Sequence, residues 1–374
     1  MGHTVVLPWH GRHSRGSVTQ HPIARQVCIV LLAVITSTGC TGWHQSLNVV
    51  GVPVADLRAK PGPLATAAAH DPLQETQLLY GERVALIKTE GGWAFIEAIE
   101  QPEYTHHHRW QGYPGWVRQE SLQSLSPRAG TPNAIIRTRW ATVWHDEHRT
   151  TPQVRLPMGT KIVLTSTVGE LLPLTLVNGS TGWIAKDDVS LISQLSRLSE
   201  DARRHAILRA AEQFLGDPYF WGGRSPHLDS TTASVTGVAP PPVAAPKAHH
   251  PADGGMATGG GATGSGVDCS GLVNLAYRTA GLEVPRDAHE QYLRARKISV
   301  PKPADLIFLS ATDKPHTIVH VMLYAGDGWV IEGPGTGLSI RRIPLAKRFG
   351  RPLKQLHAGD RIDHQTLFFG TYFP

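Results

Sequence analysis

Cys269 is the only cysteine beyond residue 40, and it stands in Asp268-Cys269-Ser270-Gly271-Leu272-Val273-Asn274-Leu275. The apolar residues Leu272, Val273 and Ala276 follow it at helical spacing, as on a helix with one buried face. Asp268 is a good N-cap, so Cys269 falls in the first turn. Free backbone N–H groups and the helix dipole there favour a thiolate, the form that attacks carbonyl carbon. A thiolate needs a base. Residues 318–332 read IVHVMLYAGDGWVIE, two β-prone runs around Ala325-Gly326-Asp327-Gly328, which predicts a hairpin. His320, Met322 and Tyr324 alternate on one face of its first strand. A loop of Ala325 to Asp327 pairs Tyr324 with Gly328 and sets His320 opposite Glu332, within hydrogen-bond reach. A loop one residue longer turns Glu332 to the other face. In the first register Cys269, His320 and Glu332 read as nucleophile, base and orienting carboxylate.

A third segment, Gly216-Asp217-Pro218-Tyr219-Phe220-Trp221-Gly222-Gly223, follows an amphipathic pattern near 201–215. Ile207, Leu208, Ala211, Phe214 and Leu215 share one side of that helix, and Gly216 ends it. Taken in order, PYFWGG, DCSGLVNLAYR, PRDA, ADLIFL and HVMLYAGDGWVIE resemble the NlpC-type cell-wall cysteine peptidases. The resemblance spans 201–374. It implies an α+β, papain-like catalytic domain that hydrolyses peptide stems of peptidoglycan. It also implies Cys269 as nucleophile, His320 as base and Glu332 at the third polar position, where His, Asn or Gln is commoner. Tyr219 matches the tyrosine whose hydroxyl lies near the nucleophile and helps bind the oxyanion.

These residues need a scaffold, and 374 residues suffice for two or three domains. The apolar run from Val27 to Ile35 is too short for a stable transmembrane span. Arg12, Arg15 and Arg25 precede it, and Ser37-Thr38-Gly39-Cys40 follows. A basic region, an apolar core and small residues before a site describe an export signal over 1–40. Gly39-Cys40 looks like a bacterial lipobox, with Cys40 as the lipidated residue and membrane anchor. Ser37 departs from the aliphatic residue usual three before the cysteine. Removing 1–39 lowers the formal charge from +6 to about +3, too mild to argue for nucleic acid. Cys269 is then the one thiol not given to lipid, so no internal disulfide scaffold is available and catalysis explains it better. No metal, cofactor or protein partner is expected; the partners are peptidoglycan stem peptides and the lipid membrane.

Two β-rich stretches precede the catalytic region. The first, about 46–125, contains Leu78-Leu79-Tyr80-Gly81-Glu82-Arg83-Val84, then Gly92-Trp93-Ala94-Phe95-Ile96 and Gly115-Trp116-Val117. The second, about 134–193, contains Leu156-Pro157-Met158-Gly159-Thr160-Lys161-Ile162 and ends in Gly182-Trp183-Ile184-Ala185. The repeated order suggests two copies of one small all-β barrel, each resembling a bacterial SH3-like domain. The expected organisation is 1–40 signal, 41–128 and 129–195 SH3-like, and 196–374 catalytic. Thr105-His106-His107-His108-Arg109-Trp110 reads as a solvated loop, since it lacks spaced acidic or cysteine partners for a metal. Residues 226–266, rich in Pro, Ala and Gly, are expected to form a disordered insertion near the cleft mouth.

Two SH3-like barrels ahead of such a domain are similar to the γ-D-glutamyl-L-diamino-acid endopeptidases. That subgroup cuts after D-Glu in stem peptides with a free N-terminal L-Ala, whose amine is held by acidic groups. The resemblance points to Asp287 in Pro285-Arg286-Asp287-Ala288, and to Glu75 and Tyr113 from the first barrel. Asp268 and Ser270 flank the nucleophile and are candidates for contacting the peptide. Two rival classes share the features: an inactive wall-binding lipoprotein, and a thiol amidase or acyltransferase on the same fold.

Overall fold

The computed structural model describes residues 48–62, 70–228 and 264–374. The segment expected to act as a signal, with Cys40, and residues 229–263 of the insertion lie outside the described residues. The described residues all lie in one compact unit.

The first β-rich stretch carries β1 (Asn48–Val50), β2 (Val54–Arg58), β3 (Gln74–Leu79), β4 (Arg83–Glu90), β5 (Trp93–Glu103), β6 (Gln111–Arg118) and β7 (Leu122–Ser124). The second carries β8 (Ala134–Ile136), β9 (Trp140–Trp144), β10 (Pro152–Pro157), β11 (Lys161–Leu164), β12 (Leu171–Thr175), β13 (Thr181–Ala185) and β14 (Val189–Leu191). Their sheets run β3-β2-β6-β5-β4-β1-β7 and β10-β9-β13-β12-β11-β8-β14, the same order shifted by seven strands. The repeated Gly-Trp pattern is thus a repeated topology. Neither sheet closes on itself among the described residues, so each copy is an open, curled sheet rather than a closed barrel.

Strict alternation builds the second core. Strands β9 and β12 bury every second side chain, and Ala141, Val143, Leu172 and Leu174 meet inside. Tyr80, from the loop after β3, enters this second core, and its hydroxyl accepts the Val177 N–H at 3.0 Å. Tyr80→Phe is therefore expected to cost about 1 kcal/mol, because it leaves the half-buried Val177 N–H without its side-chain partner. Chemical denaturation of the two proteins would measure this, and equal midpoints would show that the copies do not depend on this contact.

The catalytic half adds α1 (Ile192–Leu195), α2 (Glu200–Glu212), α3 (Cys269–Thr279), α4 (Ala288–Arg294) and α5 (Leu345–Phe349). Its main sheet is built from β17 (Arg296–Lys297), β18 (Leu306–Ala311), β19 (Lys314–Gly326), β20 (Trp329–Glu332), β21 (Arg341–Pro344) and β23 (Gln365–Thr371), ordered β17-β23-β18-β19-β20-β21. The short β22 (Arg361–Ile362) pairs with β23. The stem of the insertion is ordered: β15 (Arg224–Ser225) pairs with β16 (Gly266–Val267). Helices α2 and α3 pack with Leu306, Phe308, Val321 and Leu323 in one core, while Ile307, Met322, Tyr324 and Val330 fill a second.

Two expectations change here. Leu215 lies past the end of α2 and is 40% exposed, because the chain turns at Gly216, where φ is +90°. Helix α3 does not have one buried face; every residue from Cys269 to Thr279 is buried. The first β copy covers its polar side. Glu82, between β3 and β4, bonds both Arg224 (2.9 Å) and Arg278 of α3, and Arg224 Nε donates to Asn274 Oδ1 at 2.7 Å. Gln77 of β3 accepts from the Arg224 N–H at 3.0 Å and the Ser225 hydroxyl at 2.8 Å. Buried polar residues on α3 are thereby paired across the domain boundary, as burial requires.

Candidate active site

Cys269 opens α3 and is 8% exposed. Asp268 caps the helix, its Oδ1 accepting the Gly271 N–H at 2.7 Å. As the first helical residue, Cys269 keeps an N–H that the helix itself does not use. Gly271 and Gly333 explain the glycines around the nucleophile. A Cβ at 271 would collide with the Gly223 carbonyl oxygen. A Cβ at Gly333 would lie 3.3 Å from the Cys269 nitrogen and 3.2 Å from the Tyr219 ring. The Cys269 nitrogen and the Tyr219 ring thus both lie against Gly333. Burial and the nearby Asp268 and Cys269 raise the Tyr219 pKa, so its hydroxyl keeps its proton and is available to donate.

His320 lies on β19, opposite Leu309 of β18. The ladder shifts directly beyond it, pairing Ser310 with Ile318, and such a bulge increases twist beside the site. His320 Nε2 bonds Glu332 Oε2 at 3.0 Å, which leaves the other ring nitrogen available toward Cys269. Burial pulls the imidazole pKa down, but the bonds to Cys269 and Glu332 outweigh it and lift it to about 9. His320 is then held as imidazolium over the physiological range. The imidazolium is present below that value and is lost as pH rises through it. The upper limb of kcat/KM against pH is expected near pH 9, where an unperturbed imidazole would place it near about 6.5. A limb near neutrality would show that the ion pair does not form.

The hairpin register differs from the expected one. Tyr324 pairs with Val330, not Gly328, and Gly326 pairs with Trp329. Asp327 and Gly328 have φ of +52° and +76°, the two left-handed residues of a tight two-residue turn, with a bulge at Ala325. The strands are displaced by two residues, an even number, so Glu332 stays on the face of His320 and reaches it diagonally. Glu332 is fully buried. Its Oε1 accepts from Arg341 Nε (2.9 Å) and Nη2 (2.6 Å), and its Oε2 also accepts from Arg348 Nε (3.2 Å). Burial alone would raise its pKa, but His320, Arg348 and Arg341 hold it down to about 2.

The other expected residues form a second cluster. The Tyr113 hydroxyl lies 2.9 Å from Asp287 Oδ2 and 3.2 Å from Glu75 Oε2, so a β6 tyrosine joins acids from β3 and from the loop before α4. Burial lifts the Asp287 pKa to about 7 against the pull of Arg286, with Glu290 and Asp268 raising it further. Asp268 and Ser270 do lie beside the nucleophile, but their side chains turn to Arg286. Its guanidinium reaches Asp268 Oδ2 at 2.7 Å, Ser270 Oγ at 2.9 Å and Asp287 Oδ1 at 3.3 Å. Its Nε donates to Thr76 of β3 at 2.7 Å. Arg286 therefore links the nucleophile's helix, the acidic cluster and the first β copy.

Sequence reasoning did not single out Arg286, Arg341 or Arg348. Only Arg286 carried a local signal, its place next to Asp287. The His-rich run is exposed, as expected of a solvated loop, yet it is tethered at both ends. The Thr105 N–H donates to Glu290 Oε1 at 3.1 Å, and Trp110 stacks on Arg294 of α4 with 3.9 Å between cation and ring centre. His106 packs edge-on against Tyr113, 5.2 Å between ring centres, and bonds Glu103 at 3.0 Å.

Comparison with known proteins agrees with this geometry. Residues 258–349 match the model of the NlpC/P60 family. Among curated proteins, the chain is 24% identical over 278 residues to a γ-D-glutamyl-L-lysine dipeptidyl-peptidase of Bacillus cereus, covering 72% of this chain and 70% of that protein. It is 25% identical over 279 residues to the protein of the same name from Bacillus subtilis, covering 74% and 78%. The crystal structure of an NlpC/P60 family protein from Bacillus cereus superposes with a TM-score of 0.63 at 21% identity, covering 88% of this chain and all of that one.

Proposed function

We propose that this chain, in which residues 258–349 form an NlpC/P60 domain, is a cysteine endopeptidase of peptidoglycan stem peptides, cutting the γ-D-Glu–diamino acid bond where L-Ala has a free amine. One observation carries the reading: the Cys269–His320–Glu332 array and the Glu75–Tyr113–Asp287 cluster are joined through Arg286, which touches Asp268 and Ser270 on one side and Asp287 on the other. The first array suits attack on an amide; the second is an anionic pocket closed by the first β copy and suits an ammonium group.

In this reading the Cys269 thiolate attacks the γ-carbonyl carbon. The Cys269 N–H and the Tyr219 hydroxyl receive the oxyanion. His320 gives its proton to the departing amine, and a thioester of L-Ala-γ-D-Glu remains on the sulfur. Water, deprotonated by His320, attacks the thioester, and the thiolate leaves. Glu332 keeps the ring turned toward the sulfur throughout.

Export to the cell envelope, with Cys40 as lipid anchor, is part of the proposal and rests on the sequence around Ser37-Thr38-Gly39-Cys40. Product analysis by mass spectrometry with L-Ala-γ-D-Glu-diaminopimelate tests the bond. Release of L-Ala-γ-D-Glu is expected; products cut elsewhere, or transfer to an added amine without hydrolysis, would contradict it.

A further inference from the structure

A carboxylate fixed beside the catalytic imidazole has two opposite effects. It orients the ring and stabilises the imidazolium, but its negative charge opposes the thiolate on the far side of that ring. Glu332 is buried and would exert this repulsion with little screening. It is not alone, however. Arg341, from β21, gives both of its N–H contacts to Oε1, and Arg348, from α5, shares Oε2 with His320. Four donors therefore surround one carboxylate, and the carboxylate with its two arginines carries one net positive charge.

The geometry points to Arg341 and Arg348 as positioning residues that act through Glu332. They lock the carboxylate that aligns His320, and they reverse the sign of the charge that the Cys269 thiolate faces from that direction. An anionic third residue then performs the alignment that a neutral side chain would, without opposing the thiolate. The other charged groups around Cys269 do not duplicate this. Asp268 and Arg286 pair with each other at 2.7 Å, and Tyr219 keeps its proton. The imidazolium of His320 interacts with Cys269, and the clamp stands behind it.

The inference rests on Cys269 and His320 as the reactive pair, not on any substrate, so iodoacetamide alkylation of Cys269 tests it. The full chain is alkylated across pH 4–9, and Cys269 is followed by peptide mass spectrometry apart from Cys28 and Cys40. Wild type should react readily at pH 6; failure to do so would overturn the pair itself. In Arg341→Gln/Arg348→Gln the acid limb of alkylation should move to higher pH, with the rate at pH 6 lower by roughly three- to tenfold. The shift should shrink at high salt, since the Arg341 side chain is 40% exposed. Arg341→Lys/Arg348→Lys should restore the limb, because charge rather than the guanidinium fork sets it. If the double Gln variant does not fold, Arg341→Gln alone should show a smaller shift of the same sign. A limb that stays in place while wild type reacts normally, or one that Lys fails to restore, would overturn the clamp and leave the reactive pair standing.

Discussion

Cys269→Ala and His320→Ala are each expected to remove hydrolysis almost completely, by about ten-thousand- to million-fold in kcat, and combining them should cost little more. The reason lies in the interaction between the two groups. His320 has a pKa near 9 partly because it faces Cys269, so loss of either group removes both the nucleophile's charge and the acid that serves the leaving amine. Folding should survive Cys269→Ala, since the side chain fills little of the core around Leu272, Val273 and Ala276. Turnover of a fluorogenic or mass-resolved stem peptide, beside an unchanged melting curve, measures the effect. A Cys269→Ala protein with measurable turnover would remove the covalent mechanism. An additive double variant would mean that the two residues do not act as a pair.

The second large effect concerns the free amine. A stem peptide with free N-terminal L-Ala is expected to be cut about thirty- to thousand-fold faster, in kcat/KM, than its N-acetylated form, a difference of roughly 2–4 kcal/mol. In the proposed reading Glu75, Tyr113 and Asp287 receive the amine: the Tyr113 hydroxyl lies within 3.2 Å of both carboxylates, and Arg286 reaches Asp287 at Oδ1. Acetylation removes the charge the pocket takes and adds bulk at its closed end. The preference should also depend on pH. Asp287 takes up a proton as pH falls through about 7, while a terminal amine loses one near about 8, so selectivity should peak between those values. Asp287→Asn should flatten that profile and narrow the gap. Equal cleavage of the two peptides by the wild type would sink the pocket reading and favour action on intact, muramyl-linked stems.

Much of the site was legible because it is local. A capped cysteine ahead of helical apolar spacing placed Cys269, and alternation around an Asp-Gly turn placed His320 and Glu332 on one face. The face survived an error in register because the error was even: two residues of displacement preserve the side of the strand that one residue would have reversed. The repeated Gly-Trp strands announced a duplicated topology for the same reason, since period-two alternation is written in neighbouring residues. What stayed hidden came from distant chain. Nothing near Glu332 shows that Arg341 and Arg348 would saturate it, because β21 and α5 meet it only once the sheet is assembled. The all-round burial of α3 was equally invisible, as Glu82, Gln77 and Thr76 reach it, or the arginines beside it, from 147 to 210 residues earlier. Glu75 and Tyr113 were named from family resemblance rather than from spacing, and only the fold shows why they meet Asp287.

The most direct measurement is capture of the acyl-enzyme. Rapid acid quench of wild-type protein during turnover of L-Ala-γ-D-Glu-diaminopimelate, followed by peptide mass spectrometry, should find Cys269 carrying the L-Ala-γ-D-Glu acyl group. The adduct should be absent with the N-acetylated peptide under the same conditions. Turnover with no adduct on Cys269, or with an acyl group that extends past D-Glu, would contradict the assignment of nucleophile and bond together.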